Sequence, residues 1–394
     1  MNRSIALAGV LAALAVAPLH AAEGWQTIDN PPAIIGADGL PHQATCSGFP
    51  GTNPRYRFWV RPGDPKKLAV IFDGGGACWD DLTCSHPSGG VLRQPLLQFY
   101  TPAIPKDVDP SQYDGLLDLN NPANPVKDWT LVALPYCTAD VHLGSADHVY
   151  QKVARPGFPR GDTITIHHRG YDNFMVVLDW IGKNVGPDLS DLFVTGASAG
   201  GYGASAHFPW LARQFPQARL SVLADASQGV STPAFDANGR ANWNVQLPAW
   251  VFGSTPLAVP SNDLLRRGAQ AYTGARFAQY TTTQDEVQTG FYGYMKVFYG
   301  PGGNCPLITP DWNRQMLGTL SQYKTSLPNF RAYVLPGTKH TIIGDNGFYA
   351  DSPAGPTMAA WTGAMLDWNP SAPAWDNAAC PDCLTPMPCR RPAP

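Results

Sequence analysis

Six short apolar segments, each ending in a turn, limit the possible folds of this chain more than any other feature. Each has the length of a buried strand and runs into glycine, proline or polar residues. Two other segments, 170–186 and 201–215, carry apolar residues at helical spacing instead. Buried strands that alternate with helices predict an α/β fold with a mostly parallel sheet covered on both faces. The six segments are KLAVIFDGGG (67–76), WTLVALPYC (129–137), DLFVTGASAG (191–200), SVLADAS (221–227), ARFAQYTTTQD (275–285) and FRAYVLPGTKH (330–340).

The 394 residues contain no internal repeat and no linker long enough to separate two domains, so we expect one domain over 23–394. Two regions rich in Pro, Asn and Trp, about 85–127 and 229–268, are expected to form loop excursions over the sheet rather than sheet elements. The tail from about 370 to 394 reads as a loop. It holds three cysteines, which predicts that disulfides fasten it to the body.

The N-terminus has the pattern of a secretory signal peptide over 1–22, with cleavage near Ala21 or Ala22. The alternative is a membrane anchor. Its apolar run, 5–16, is too short to span a bilayer comfortably, and Pro18 interrupts the pattern. We therefore expect a secreted or periplasmic protein with no stable membrane anchor.

Cysteine content and charge narrow the binding chemistry. An even number of cysteines in an exported chain predicts four disulfides rather than a metal site. Cys380 and Cys383 form a CxxC, but zinc needs a second ligand pair at suitable spacing, and the adjacent His167 and His168 seldom converge on one ion. We expect no metal and no cofactor. A net charge of -3 and the absence of a basic run argue against nucleic acid as a partner. The cysteines are Cys46, Cys78, Cys84, Cys137, Cys305, Cys380, Cys383 and Cys389.

The segment 196–200, GASAG, matches the G-x-S-x-G pattern of a serine nucleophile. A predicted strand precedes it and a predicted helix follows, which is the strand–turn–helix setting that the pattern requires. The turn would lift the hydroxyl of Ser198 above the sheet and place the N–H of Ala199 beside it. The alternative is a Gly/Ala-rich turn with an incidental serine. We interpret Ser198 as the nucleophile.

A serine nucleophile needs a base, and in this architecture the partners follow in the order Ser, Asp or Glu, His. His207 falls in the predicted helix after the turn, where a packing role is expected. His340 follows a late strand in a glycine-containing loop, and we interpret it as the base. Two acids, Asp225 and Asp285, stand at strand ends. Chain order favours Asp285 but leaves both open.

A glycine-rich loop, DGGGACW, follows the first of the six segments. In this architecture an early glycine loop and the residue after the nucleophile donate N–H groups to the oxyanion. Gly74, Gly75 and Gly76 supply such a loop. A phosphate-binding loop is the rival interpretation, but the chain lacks the G-x-x-x-x-G-K-[ST] and G-x-G-x-x-G patterns.

Seven motifs in order resemble the pectin acetylesterase family over roughly 46–343. The motifs are FDGGGACW…C, LPYCTADVHLGS, HHRGYDN, GASAGGYGA, VLADAS, QDEVQ and GTKHTII. The resemblance implies an α/β-hydrolase-like fold and carboxylester hydrolysis without a metal. It places the nucleophile on Ser198, the base on His340 and the acid on Asp285, which decides against Asp225. It also places the oxyanion donors on Gly75, Gly76 and Ala199, and a structural aspartate at Asp140.

The same resemblance implies the disulfide pairs Cys78–Cys84 and Cys46–Cys137. Cys305 would then pair with one of the three tail cysteines and leave the other two together. The chain departs from the family where Ala77 precedes Cys78 and Trp79 follows it, and where His142 replaces an aromatic residue. These departures surround the pocket and bear on the acyl group rather than on the triad.

The sequence therefore predicts a secreted serine carboxylesterase, acting as a monomer, that deacetylates a pectin-like polysaccharide. One alternative is a hydrolase of aliphatic polyester or lipid esters, since one triad serves many acyl groups. A second is a secreted glycan-binding protein that has lost catalysis, although all three triad positions are filled. A serine peptidase is a third, for which the family resemblance gives little support.

Overall fold

A computed structural model describes residues 24–88, 98–154, 157 and 160–390. The predicted signal peptide and its cleavage site lie outside these residues. The strands are Gln26–Asp29 (β1), Ile34–Ile35 (β2), Pro41–His42 (β3), Arg57–Arg61 (β4), Asp64–Phe72 (β5), Trp129–Leu134 (β6), Ala146–Val153 (β7), Arg160–His168 (β8), Asp191–Ala197 (β9), Arg219–Asp225 (β10), Arg276–Thr282 (β11), Phe330–Leu335 (β12) and Ala378–Ala379 (β13). The α-helices are Asp81–Cys84 (α1), Gly170–Asn184 (α2), Ala199–Gln214 (α3), Ala249–Phe252 (α4), Leu264–Ala271 (α5), Glu286–Phe298 (α6), Ile308–Ser326 (α7), Gly347–Ala350 (α8) and Met358–Leu366 (α9).

A nine-stranded sheet forms the centre of the molecule, in the order β1-β4-β6-β5-β9-β10-β11-β12-β13. All neighbours from β6 to β13 are parallel, and β4 and β1 add an antiparallel edge. The six predicted segments are the six adjacent strands β6, β5, β9, β10, β11 and β12, so the mostly parallel sheet is confirmed. The tail is not entirely a loop as expected, because β13 within it pairs with β12 at the far edge.

Helices cover both faces of the sheet, as predicted. On one face Phe72 belongs to a buried cluster with Phe174 of α2 and Leu211 of α3. On the other face the preceding residue, Ile71, belongs to a second buried cluster with Trp361 of α9. Successive side chains of a strand point to opposite faces, so one buried strand contributes to both cores. Across the described ranges, no helix has both the length and the hydrophobicity that a membrane span requires.

An antiparallel hairpin of β7 and β8 stands apart from the main sheet and was not predicted. Most of its residues are partly or fully exposed, so its sequence lacks the apolar run that identified the central strands. Three buried side chains, Tyr150, Ile164 and Ile166, pack beside Cys78 and Cys84. The hairpin therefore supports the segment that follows the glycine-rich loop.

The two predicted excursions contain no strand of the main sheet within their described residues. Short helical turns interrupt both, and the second excursion includes α4 and runs into α5. Both return toward the carboxyl ends of the strands. The backbone N–H of Leu116 donates a hydrogen bond of 2.7 Å to the carbonyl of Ile343. Gly229, Val230 and Phe235 line a cavity described below.

Four disulfides use all eight cysteines: Cys46–Cys137, Cys78–Cys84, Cys305–Cys389 and Cys380–Cys383. They match the pairs that the family resemblance implied, and Cys305–Cys389 fastens the tail to the body. His168 lies close to Cys78 and Cys84, but both sulfurs are bonded to each other and offer no thiolate to an ion.

We expect loss of Cys46–Cys137 to destabilise the fold more than loss of Cys78–Cys84. The first bond joins residues 91 positions apart and the second joins residues 6 apart, so the first removes more chain entropy from the unfolded state. The chain-entropy relation gives about 4–5 and about 2–3 kcal/mol. Denaturant unfolding of the two double cysteine-to-serine variants measures both values. Equal losses would contradict the entropic explanation.

Candidate active site

Ser198 occupies a sharp turn between β9 and α3. Its backbone has φ +55° and ψ -121°, an uncommon conformation for a residue with a Cβ. A Cβ at Gly196 would lie 2.3 Å from the carbonyl oxygen of Gly200, and one at Gly200 would lie 1.9 Å from that of Phe72. The N–H of Ser198 donates to the carbonyl of Asp225 at 2.8 Å. The close approach of strand and helix therefore explains both glycines.

Asp285 and His340 form a hydrogen-bonded pair at the ends of β11 and β12. The Nδ1 atom of His340 lies 2.9 Å from both carboxylate oxygens of Asp285. Asp285 is fully buried, whereas His340 is 15% exposed at its side chain. Because the carboxylate accepts at Nδ1, the other ring nitrogen is left as the acceptor. That atom, Nε2, has no hydrogen-bond partner among the described residues.

Three further donors hold the carboxylate of Asp285 in place. Asp285 caps the N-terminus of α6 and accepts the N–H groups of Val287 and Gln288 at 3.1 and 2.9 Å. The Nε2 amide of Gln288 also donates to Asp285 at 2.9 Å, and to Gln228 at 2.7 Å. Sequence analysis missed Gln228, because only the fold brings the residues after β10 against α6.

Asp225, the other candidate acid, turns toward a different partner. Its Oδ2 accepts the N–H groups of Ile342 and Ile343 at 2.8 and 2.9 Å. Burial raises the pKa of Asp225 to about 7, and these two hydrogen bonds act in the opposite direction. Asp225 makes no hydrogen bond to His340 among the described contacts. It therefore holds the loop that follows His340, while Asp285 contacts the imidazole.

Ser198 and His340 line one cavity at the carboxyl ends of the strands. Gly76 and Ala199 line it as well, and no hydrogen bond within the described part of the chain uses their N–H groups. Gly75 lies next to Gly76 but does not line the cavity. The walls are mostly apolar and aromatic. They include Trp79, Leu143, Phe235, Trp243, Phe291 and Met295.

A buried, hydrogen-bonded loop forms the wall beside the glycine-rich segment. Asp140 accepts the hydroxyl of Thr138 and the N–H groups of His142, Gly144 and Gly170, at 2.6 to 3.1 Å. Burial raises the pKa of Asp140 to about 7, and these donors oppose the rise. The carboxylate thus stabilises the conformation of the loop through these hydrogen bonds, in line with the structural role that the resemblance implied.

Two buried histidines near the site, His142 and His207, have structural roles. The Nε2–H of His142 donates to the carbonyl of Asp73 at 2.9 Å, and that of His207 donates to the carbonyl of His142 at 2.6 Å. Burial lowers the pKa of His142 to about 4 and that of His207 to about 3. Neither residue lines the cavity, whereas Ala77 and Trp79, the other departures from the family pattern, do.

The parallel sheet, the strand–turn–helix at Ser198 and the cavity at the strands' carboxyl ends define an α/β-hydrolase fold. The solved structure of the Wnt deacylase Notum from Drosophila is similar, with a TM-score of 0.57 over 91% of this chain and 99% of that one, at 16% identity. A pectinacetylesterase family model matches residues 40–243, just over half of the chain. The chain therefore belongs to the pectin acetylesterase family and is a carboxylesterase-type hydrolase.

The family match includes Ser198 and ends before Asp285 and His340. Comparison with curated protein sequences gave no match. The assignment of Asp285 and His340 to the site therefore rests on the geometry described above and not on the family match.

Proposed function

We propose that the protein is a secreted serine carboxylesterase with Ser198 as nucleophile, His340 as base and Asp285 as acid. The observation that carries the proposal is that Ser198 and His340 line one cavity. Asp285 holds Nδ1 of the imidazole, and Nε2 has no partner among the described residues. The proposal includes one catalytic domain over 23–394, preceded by a signal peptide over 1–22. The four disulfides favour an oxidising compartment outside the cytoplasm.

In the proposed mechanism, Nε2 of His340 takes the proton of Ser198 as Oγ attacks the ester carbonyl. The negatively charged oxygen that forms accepts hydrogen bonds from the N–H groups of Gly76 and Ala199, and the N–H of Gly75 is the third proposed donor. Collapse of this intermediate breaks the bond to the alcohol, which leaves with the proton from His340. Water then attacks the acyl-enzyme, gives its proton to His340, and releases the acid as Oγ regains its proton.

Family membership supports acetyl esters of a pectin-like polysaccharide as the first substrate. The lining of the cavity supports a second candidate, because most of the side chains around it are aromatic or aliphatic. Esters with longer acyl chains, including aliphatic polyesters and lipids, would bury more apolar surface there.

Hydrolysis of 4-nitrophenyl esters from acetate to palmitate, and release of acetate from acetylated pectin, test the proposal. We expect turnover of the soluble esters and a profile that ranks the two substrate candidates. A maximum at acetate with activity on pectin supports the deacetylase, and a maximum at longer chains supports the second candidate. A folded protein without turnover of any ester would leave the catalytically inactive glycan-binding protein as the better interpretation.

A further inference from the structure

A buried arginine lines the otherwise apolar cavity. The side chain of Arg240 is 2% exposed, and Arg240 is the one residue with a permanent charge among the described residues that line the cavity. It shares this wall with Phe235, Trp243 and Leu264. An arginine remains protonated in proteins, so a charged group with five N–H donors stands beside the space that a substrate would fill.

Protein groups accept hydrogen bonds from only some of the N–H donors of this guanidinium. Nη2 donates to the carbonyl oxygens of Val259 at 2.8 Å and Asp236 at 3.1 Å. The carboxylate of Asp236 lies 3.4 Å away and is engaged by the hydroxyls of Ser231 and Ser261 at 2.7 and 2.6 Å. The Nε and Nη1 atoms are buried and have no acceptor among the described residues.

Buried donors without acceptors are costly, and a charged donor more than a neutral one. An oxygen atom that enters the cavity would remove this cost for Arg240. The alcohol half of a polymeric ester must extend out of the cavity into solvent. A group that contacts Arg240, whose side chain is 2% exposed, must instead lie inside the cavity. The acyl half is therefore the part of the substrate that can supply the oxygen.

We propose that Arg240 donates a hydrogen bond to a carbonyl or carboxylate oxygen carried along the acyl chain of the substrate. The inference rests on the proposed function of Ser198 and specifies its substrate class as esters of oxygen-bearing acids. Acids of this class include oxo acids, dicarboxylic acids and the ester-linked units of an aliphatic polyester. A plain hydrocarbon chain of the same shape leaves the guanidinium donors unpaired and is a poorer substrate.

Pairs of soluble esters test this selectivity. One member is the 4-nitrophenyl ester of a 4-, 5- or 6-oxo acid, and its partner carries a methyl branch in place of the ketone oxygen. A 4-nitrophenyl half-ester of a dicarboxylic acid is also tested, to compare a carboxylate with a neutral carbonyl as the acceptor. Each kcat/KM is divided by the rate of hydroxide hydrolysis, so that intrinsic reactivity is removed. We expect a preference of about 10- to 100-fold for the oxygen-bearing ester at one position or more.

The Arg240→Met variant keeps the length of the side chain and removes its donors. We expect it to bring the ratio of kcat/KM between the oxygen-bearing ester and its methyl-branched partner to within about threefold of one. Met295→Leu changes another part of the wall and serves as the matched control, which should retain the preference. A role of Arg240 in folding alone would lower both rates equally and lower the melting temperature.

The wild-type ratios decide the matter even where Arg240→Met fails to fold. Suppose that the esters are hydrolysed, but that every oxygen-bearing ester, the dicarboxylic half-ester included, has a kcat/KM within about threefold of its methyl-branched partner. That result would overturn this inference alone and would mean that water accepts the hydrogen bonds of Arg240. Absence of turnover on every ester would overturn the proposed esterase function together with it.

Discussion

Replacing Ser198 with alanine is expected to lower kcat/KM on the best 4-nitrophenyl ester by about 10⁴- to 10⁶-fold. The reason is that, in the proposed mechanism, Oγ of Ser198 forms the acyl-enzyme bond, which alanine cannot form. Alanine keeps a Cβ, so the backbone at φ +55° and the hydrogen bond from the N–H to Asp225 persist. Folding should therefore change little, and thermal melting measured beside the kinetics verifies this.

Ser205→Ala is the matched control for Ser198→Ala. Ser205 lies in α3, the helix that follows Ser198, is buried, and donates its hydroxyl to the carbonyl of Gly201 at 2.7 Å. Its loss should cost less than about tenfold in kcat/KM, because it acts only through helix geometry. A fluorophosphonate probe should add one label to the wild type and none to Ser198→Ala, as measured by intact mass. Retention of a tenth of the wild-type rate by Ser198→Ala would contradict the nucleophile assignment.

The central strands could be predicted because they are buried on both faces and therefore appear as continuous apolar runs. The edge strands carried no such signal. In β4, Arg57 and Arg61 flank three buried residues, and β1 alternates between partly buried and exposed positions. The two-residue strand β13 is set by its pairing with Tyr333 and Val334, a contact that no local pattern encodes.

The site divides in the same way between local and long-range information. Ser198 belongs to a motif whose glycines are required by contacts within a few residues and with the neighbouring strand β5. His340 could be inferred from its position after a late strand. The choice between the two aspartates needed the family resemblance, because Asp225 ends β10 and Asp285 follows the adjacent parallel strand β11. Which carboxylate faces the imidazole depends on the α6 cap, and this is a feature of the folded chain.

The donors around the cavity could not be predicted from sequence for a similar reason. Arg240 lies in an excursion without a regular pattern, and its burial depends on carbonyl groups from two turns, at Asp236 and Val259. A single arginine in a Pro- and Asn-rich loop is ordinarily read as exposed. Its position in an apolar wall is a property of tertiary structure alone.

Replacing Asp285 with asparagine is expected to lower kcat/KM by about 10⁴-fold at neutral pH. Asparagine keeps the size of the side chain, and its carbonyl oxygen can still accept the N–H groups of Val287 and Gln288 that Asp285 accepts now. It removes the negative charge that stabilises the imidazolium of His340. Its amide also competes as a donor at Nδ1, which favours the tautomer with the proton on Nε2 and so removes the base from Ser198.

Asp225→Asn is the control that separates the two acids. Its carbonyl oxygen can accept both N–H groups of the loop after His340, so the imidazole should keep its place, and we expect a loss of less than about tenfold in kcat/KM. Melting curves of both variants show whether either loss reflects unfolding. A comparable loss in Asp225→Asn without a change in melting temperature would mean that Asp225, and not Asp285 alone, supports the charge on His340. The acid would then have to be assigned to the pair of carboxylates that end β10 and follow β11.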